Sequence, residues 1–103
     1  MASEDETPPP TSAVLMSISK HLAARCSKQS KVFVECKRND KNPEACLKEG
    51  DAVTSCAIET LKLAQEKAPE EFKAFYECMD YYSNKFEKCR KEQKAFEAAF
   101  PVS

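Results

Sequence analysis

Six cysteines, Cys26, Cys36, Cys46, Cys56, Cys78 and Cys89, follow one another at intervals of 10, 10, 10, 22 and 11 residues. Nothing else in the chain restricts its fold as strongly. Ten residues of α-helix span about 15 Å, nearly three turns. Two antiparallel helices, each with cysteines at that spacing, can close two bridges at once. Each bridge needs Cα atoms roughly 5.5 Å apart. Of the three connectivities open to four cysteines, the nested one alone suits two antiparallel helices. That predicts Cys26–Cys56 as the outer bridge and Cys36–Cys46 as the inner one. Joining Cys26 to Cys36 would require spanning about 15 Å within one helix.

The same rule applied to the last two cysteines predicts an inner bridge Cys78–Cys89. Its outer companion would fall at positions 68 and 99, which hold Ala68 and Ala99, with Phe100 following. The second hairpin is therefore expected to keep only the staple at its turn. Closing a loop of about 30 residues is worth roughly 3.5 kcal/mol in the chain-entropy model, and one of about 12 residues roughly 3. The second hairpin lacks the larger contribution. It is rich in aromatics instead, with Phe72, Phe75, Tyr76, Tyr81, Tyr82 and Phe86. Burial of Phe72, Phe75 and Phe86, at ~1.5–3 kcal/mol each, would offset the missing bridge. The open end near Ala68 is expected to fray more readily than the end at Cys56.

The chain between the cysteines reads as helix. Only one glycine is present, and Glu, Lys and Ala dominate, which favours helix over strand. Residues 1–11 read as a disordered or extended tail. Thr11 or Ser12 can cap a helix through its hydroxyl. Residues 12–25 form an amphipathic segment with Ala13, Val14, Leu15, Ile18 and Leu22 at helical spacing. The first hairpin occupies 26–67, with its turn at Asn39-Asp40-Lys41-Asn42-Pro43 and a possible kink near Ser27–Ser30. Gly50 lies mid-helix, at a cost of about 0.5–1 kcal/mol against alanine. Either close approach of the partner helix offsets that cost or the glycine is a tolerated defect. The second hairpin occupies 68–100. Pro69-Glu70-Glu71 opens its first helix, with proline in the first turn and acids at the positive helix end. Phe72, Phe75, Tyr76, Met79 and Tyr82 form the apolar stripe. Ser83-Asn84 turns the chain, and the last helix holds Phe86, Cys89, Phe96 and Ala99 before Pro101. The expected fold class is all-α: two disulfide-stapled antiparallel helical hairpins in series, with an N-terminal helical extension.

Composition narrows the function. Charged residues make up 32% of the chain yet nearly cancel, for a net charge of −1. A nucleic-acid binder would show a basic face or tail, so none is expected as a partner. No apolar run is long enough to span a membrane. The opening MASEDETPPP has neither the basic start and apolar stretch of a secretory signal nor the arginines of a matrix transit peptide. Bridges at this spacing nonetheless need an oxidising space. The mitochondrial intermembrane space reconciles the two, because small proteins can enter it unfolded and be trapped by oxidative folding.

The tandem Cys-x9-Cys hairpin resembles the coiled-coil-helix–coiled-coil-helix (CHCH) family of that compartment. Further segments carry the likeness: Pro10-Thr11-Ser12-Ala13-Val14-Leu15, Glu35-Cys36-Lys37, Asn42-Pro43-Glu44, Cys46-Leu47 and Cys89-Arg90-Lys91-Glu92-Gln93. Together they resemble the double-CHCH accessory subunits of mitochondrial NADH:ubiquinone oxidoreductase (complex I), over essentially residues 10–100. The resemblance implies a non-catalytic subunit on the intermembrane-space face of the inner membrane, peripheral and without a transmembrane span. It helps assemble or hold the membrane arm, with other complex I subunits as partners. Such proteins normally have eight cysteines, and the departure here falls at Ala68 and at Ala99 or Phe100. The family is oxidised during import by a disulfide relay that docks an apolar side chain close to the attacked cysteine. Phe33, Val53, Phe75 and Phe86 each precede a cysteine by three residues and would share its helix face, which makes them candidates for that role as well as for the core.

Other chemistry finds little support. Zinc sites usually pair ligands two to four residues apart. A copper carrier would want adjacent thiolates, and a thiol oxidoreductase a Cys-x-x-Cys pair. None of these patterns is present, so no catalytic, cofactor or metal residue is named. His21, the single histidine, is expected at the surface or an interface. Val14, Leu15, Ile18 and Leu22, lying outside the stapled hairpins, are expected to pack on a partner, and Tyr81 and Tyr82 are further candidates. A soluble intermembrane-space assembly factor or carrier is the alternative to a complex subunit.

Overall fold

A computed structural model of the chain describes residues 7–102. The tail expectation therefore lies outside the described residues for positions 1–6. Thr7 to Thr11 form no helix. The Thr11 hydroxyl then accepts from the Val14 amide at 3.3 Å, which satisfies one free donor of the first helical turn. Six α-helices follow: α1 (Ser12–Ser17), α2 (Ser19–Arg25), α3 (Ser27–Asn39), α4 (Leu47–Lys67), α5 (Pro69–Tyr81) and α6 (Arg90–Ala99). Short 3-10 turns at Pro43–Cys46 and Phe86–Lys88 precede α4 and α6. No strand occurs among the described residues.

The hairpin turns form through local side-chain bonds. Asp40 accepts from the Asn42 amide at 3.0 Å, and Asn42 accepts from the Glu44 amide at 3.1 Å. These are short polar side chains doing what turns favour. At the second turn Ser83 and Asn84 take positive φ values of 56° and 65°, a conformation asparagine tolerates better than most residues. The Asn84 amide donates to the Met79 carbonyl at 2.7 Å. Its side-chain amide donates to Ser12 Oγ at 3.3 Å, fastening the second turn to the start of α1. The kink expected near Ser27–Ser30 falls instead at Cys26, with a further break at Ile18. Phe86 lies in the 3-10 turn rather than inside the last helix.

The core is not shared evenly between the hairpins. Ala13, Val14 and Ile18 from the N-terminal segment meet Leu61 and Ala64 of α4, Phe72, Phe75 and Met79 of α5, and Phe96 and Phe100 at the C-terminal end. All are buried, and α1 packs chiefly along α5. In contrast, α3 has no buried residue. The first hairpin therefore projects from a core built by the N-terminal segment, the C-terminal half of α4 and the second hairpin. The radius of gyration, 14.9 Å, exceeds the ~13 Å of a compact chain this long, as a projecting arm requires.

Gly50 has a clear role. A Cβ built there would lie 3.2 Å from Phe33 Cε1, so the glycine lets the Phe33 ring rest on α4. Alanine would gain about 0.5–1 kcal/mol of helix propensity and lose part of that to displacement of a half-buried ring. Gly50→Ala should therefore change stability by less than about 1 kcal/mol. Thermal unfolding of the two proteins checks this, and a loss beyond about 2 kcal/mol would show that Phe33 cannot move.

Candidate functional site

The residues singled out by the sequence fall into three places: the sulfur ladder, the aromatic core and the exposed arm. The ladder consists of Cys26–Cys56, Cys36–Cys46 and Cys78–Cys89, with Cα separations of 5.9, 6.0 and 6.0 Å. No free cysteine remains. Cys26 is buried beside Thr60, whose hydroxyl donates to the Cys56 carbonyl at 2.9 Å. The outer bridge is thus anchored where the arm joins the core. With every sulfur paired, no thiolate is available as nucleophile or metal ligand. No group of three or more metal-ligating side chains occurs among the described residues. No described helix is long and apolar enough to cross a membrane.

Two expectations are corrected at the aromatic core. Val14 and Ile18, expected to face a partner, are 2% and 0% exposed. Their stripe is covered by α5 of the same chain, and Leu15 and Leu22 pack half-buried at its edge. The physical reason is the second hairpin, whose Phe72, Phe75 and Met79 form an apolar surface that α1 covers. His21 is likewise buried rather than exposed. Its ring stacks on Phe100 with centroids 4.4 Å apart and tilts against Phe96 at 5.1 Å. Nε2 lies 2.7 Å from the Phe100 carbonyl oxygen. A carbonyl only accepts, so Nε2 carries the hydrogen. Nδ1 of the same ring is buried without a partner. His21, Phe96 and Phe100 thus clasp the end of the second hairpin where its outer bridge would be, with Ala68 also buried. The open end, expected to fray, is enclosed.

The spacing of Val14, Ile18 and His21 held this information. They are four and three residues apart, the spacing of one helix face, although the chain breaks between α1 and α2 at Ile18. What covers that face is a tertiary matter. An exposed ion pair, Lys20–Glu97 at 3.3 Å, also links α2 to α6, and such pairs add only about 0–1 kcal/mol. Tyr76 packs edge-on against Phe72 with centroids 4.9 Å apart. Burial, with the Glu77 carboxylate second, pushes its phenol above the ordinary value.

The four residues preceding cysteines fall into two pairs, one in each hairpin. Phe75 is buried and tilts against Phe86 at 6.3 Å, whereas Phe33 and Val53 are half-buried in the first hairpin. Tyr81 is 79% exposed and Tyr82 40%, their rings perpendicular with centroids 4.8 Å apart. The arm adds exposed Val32, Val34, Leu47 and Ile58.

Paired antiparallel helices stapled by disulfides define a CHCH-type fold. The family model described as CHCH domain matches residues 69–98, which is the second hairpin. The chain is 48% identical over 95 residues to NADH dehydrogenase [ubiquinone] 1 alpha subcomplex subunit 8-A of Arabidopsis thaliana, covering 92% of this chain and 88% of that protein. It is 46% identical over 95 residues to subunit 8-B of the same plant, covering 92% and 90%. It is 33% identical over 82 residues to the NADH-ubiquinone oxidoreductase 20.8 kDa subunit of Neurospora crassa, covering 78% of this chain and 45% of that one. The chain belongs to the family of NADH dehydrogenase [ubiquinone] 1 alpha subcomplex subunit 8.

Proposed function

We propose that this chain is a non-catalytic accessory subunit of mitochondrial complex I. It lies on the intermembrane-space face of the inner membrane and supports assembly and stability of the membrane arm. The observation that carries this reading is the 48% identity across 92% of the chain to a protein named as an NADH dehydrogenase [ubiquinone] subunit. The paired sulfurs support it, because six bridged cysteines fit an oxidising compartment and leave no redox pair for catalysis. An exposed arm beside a separately closed core suits a protein that holds neighbours rather than one that encloses a substrate. The N-terminal stripe no longer argues for a partner, since it is covered from within.

Import through the intermembrane-space disulfide relay belongs to the same proposal. Phe33, Val53, Phe75 and Phe86 would guide it while the chain is unfolded, before Phe75 enters the core. Cys36→Ser should then lower mitochondrial accumulation severalfold, read by immunoblot against a matrix protein; normal accumulation would contradict oxidative trapping. The subunit reading itself is tested by native electrophoresis of mitochondria. Comigration with complex I is expected. Recovery only as a free small species would favour a soluble assembly factor or carrier instead.

A further inference from the structure

The charges of this chain are nearly balanced overall but not locally. Helix α3 carries Lys28, Lys31, Lys37 and Arg38 against the single acid Glu35, a net charge of +3. Helix α5 is its mirror, with Glu70, Glu71, Glu77 and Asp80 against Lys73, net −3. The two helices differ in cover. The apolar face of α5 is sealed by α1 and α6, whereas no side chain of α3 is buried. Val32 and Val34 are 49% and 48% exposed. Among the described residues the one ion pair is Lys20–Glu97, so none of the four α3 cations forms a salt bridge there. Glu49 lines the groove beside Lys28 and Lys48 and forms no salt bridge with either. Helix α3 is nevertheless held rigidly, by bridges near both of its ends. A pre-formed surface loses less entropy on binding than a flexible one.

Resting on the subunit reading above, we propose that α3, through Lys28, Lys31 and Arg38, docks an acidic segment of a neighbouring subunit. Charge complementarity selects the occupant, since a cationic helix steers and registers an anionic partner. A lipid surface fits less well. Val32 and Val34 point about 200° apart around the helix, so there is no single apolar face to insert. A second copy, offering its acidic α5, would make a head-to-tail contact that need not close into a defined oligomer.

The test uses the full chain, returned to mitochondria that lack their own copy. Lys28→Glu/Lys31→Glu/Arg38→Glu is compared with Glu70→Lys/Glu77→Lys on the acidic helix, and free-thiol counting verifies three bridges in each. The wild type and the α5 variant should comigrate with complex I on native gels. The α3 variant should show about tenfold less comigration or worse, with its bridges intact. Comigration of the α3 variant at the wild-type level would overturn the proposal while leaving the subunit reading standing. Equal loss in both variants would also overturn it, because the effect would then not belong to α3. A wild type that never comigrates would remove the subunit reading and this proposal together. Two further outcomes would replace the partner: α3-dependent cosedimentation of the purified protein with anionic phospholipid vesicles, or a salt-sensitive dimer in sedimentation.

Discussion

Phe96→Ala should cost the fold about 3–5 kcal/mol, the usual range for emptying a buried aromatic site. Phe96 is fully buried and meets the rings of His21, Phe72, Phe75 and Phe100 at centroid distances of 5.1, 5.3, 5.8 and 6.0 Å. Those partners come from α2, α5 and the C-terminal end, so none can collapse into the space without moving the others. With the disulfides intact, urea unfolding should show the loss, and the thermal midpoint should fall by more than about 10 °C. A cost below about 1 kcal/mol would mean that the core is not organised around this ring. His21→Ala tests the same clasp more gently. It removes one stacked ring and one buried hydrogen bond, at about 1–3 kcal/mol.

Removal of the outer bridge should act elsewhere. Cys26→Ser/Cys56→Ser opens a loop with a sequence separation of 30, worth about 3.5 kcal/mol in the chain-entropy model. Helix α3 buries no side chain, so no apolar burial takes over when the bridge is gone. Phe33 on Gly50 and the inner bridge are then its main ties to α4. The expected result is local: α3 loosens, while α1, α5 and α6 keep their packing. Hydrogen exchange should show the α3 amides exchanging at close to unfolded rates in the double variant. A matching loss of protection across α5 and α6 would show that the bridge stabilises the core directly.

Much of this layout was legible in the cysteine spacing, because disulfide geometry is narrow and helices have a fixed rise. The turn at Asn39–Pro43, the Thr11 cap and the opening of α5 at Pro69 were legible for a similar reason: each depends on the chemistry of a few adjacent residues. The cover over Val14 and Ile18 was not. Periodicity states that a helix has an apolar face and is silent on what meets it, which depends on residues some sixty positions away in α5. His21 was misplaced for the same reason. A lone imidazole in an apolar stripe reads as polar until the Phe100 carbonyl is placed against it. The absence of cysteine at Ala68 and Ala99 was visible, and what does the closing there was not.

The chain combines an aromatic core, closed by its own N-terminal segment, with an arm held by disulfides. Hydrogen exchange of the full chain, followed amide by amide before and after reduction, tests this combination most directly. Before reduction, amides near Phe72 and Phe96 should be more protected than those of α3. On reduction, α3 and the first half of α4 should lose protection first, with α1 and α5 still protected. Loss of protection everywhere at once, or an α3 that stays protected after reduction, would contradict the account.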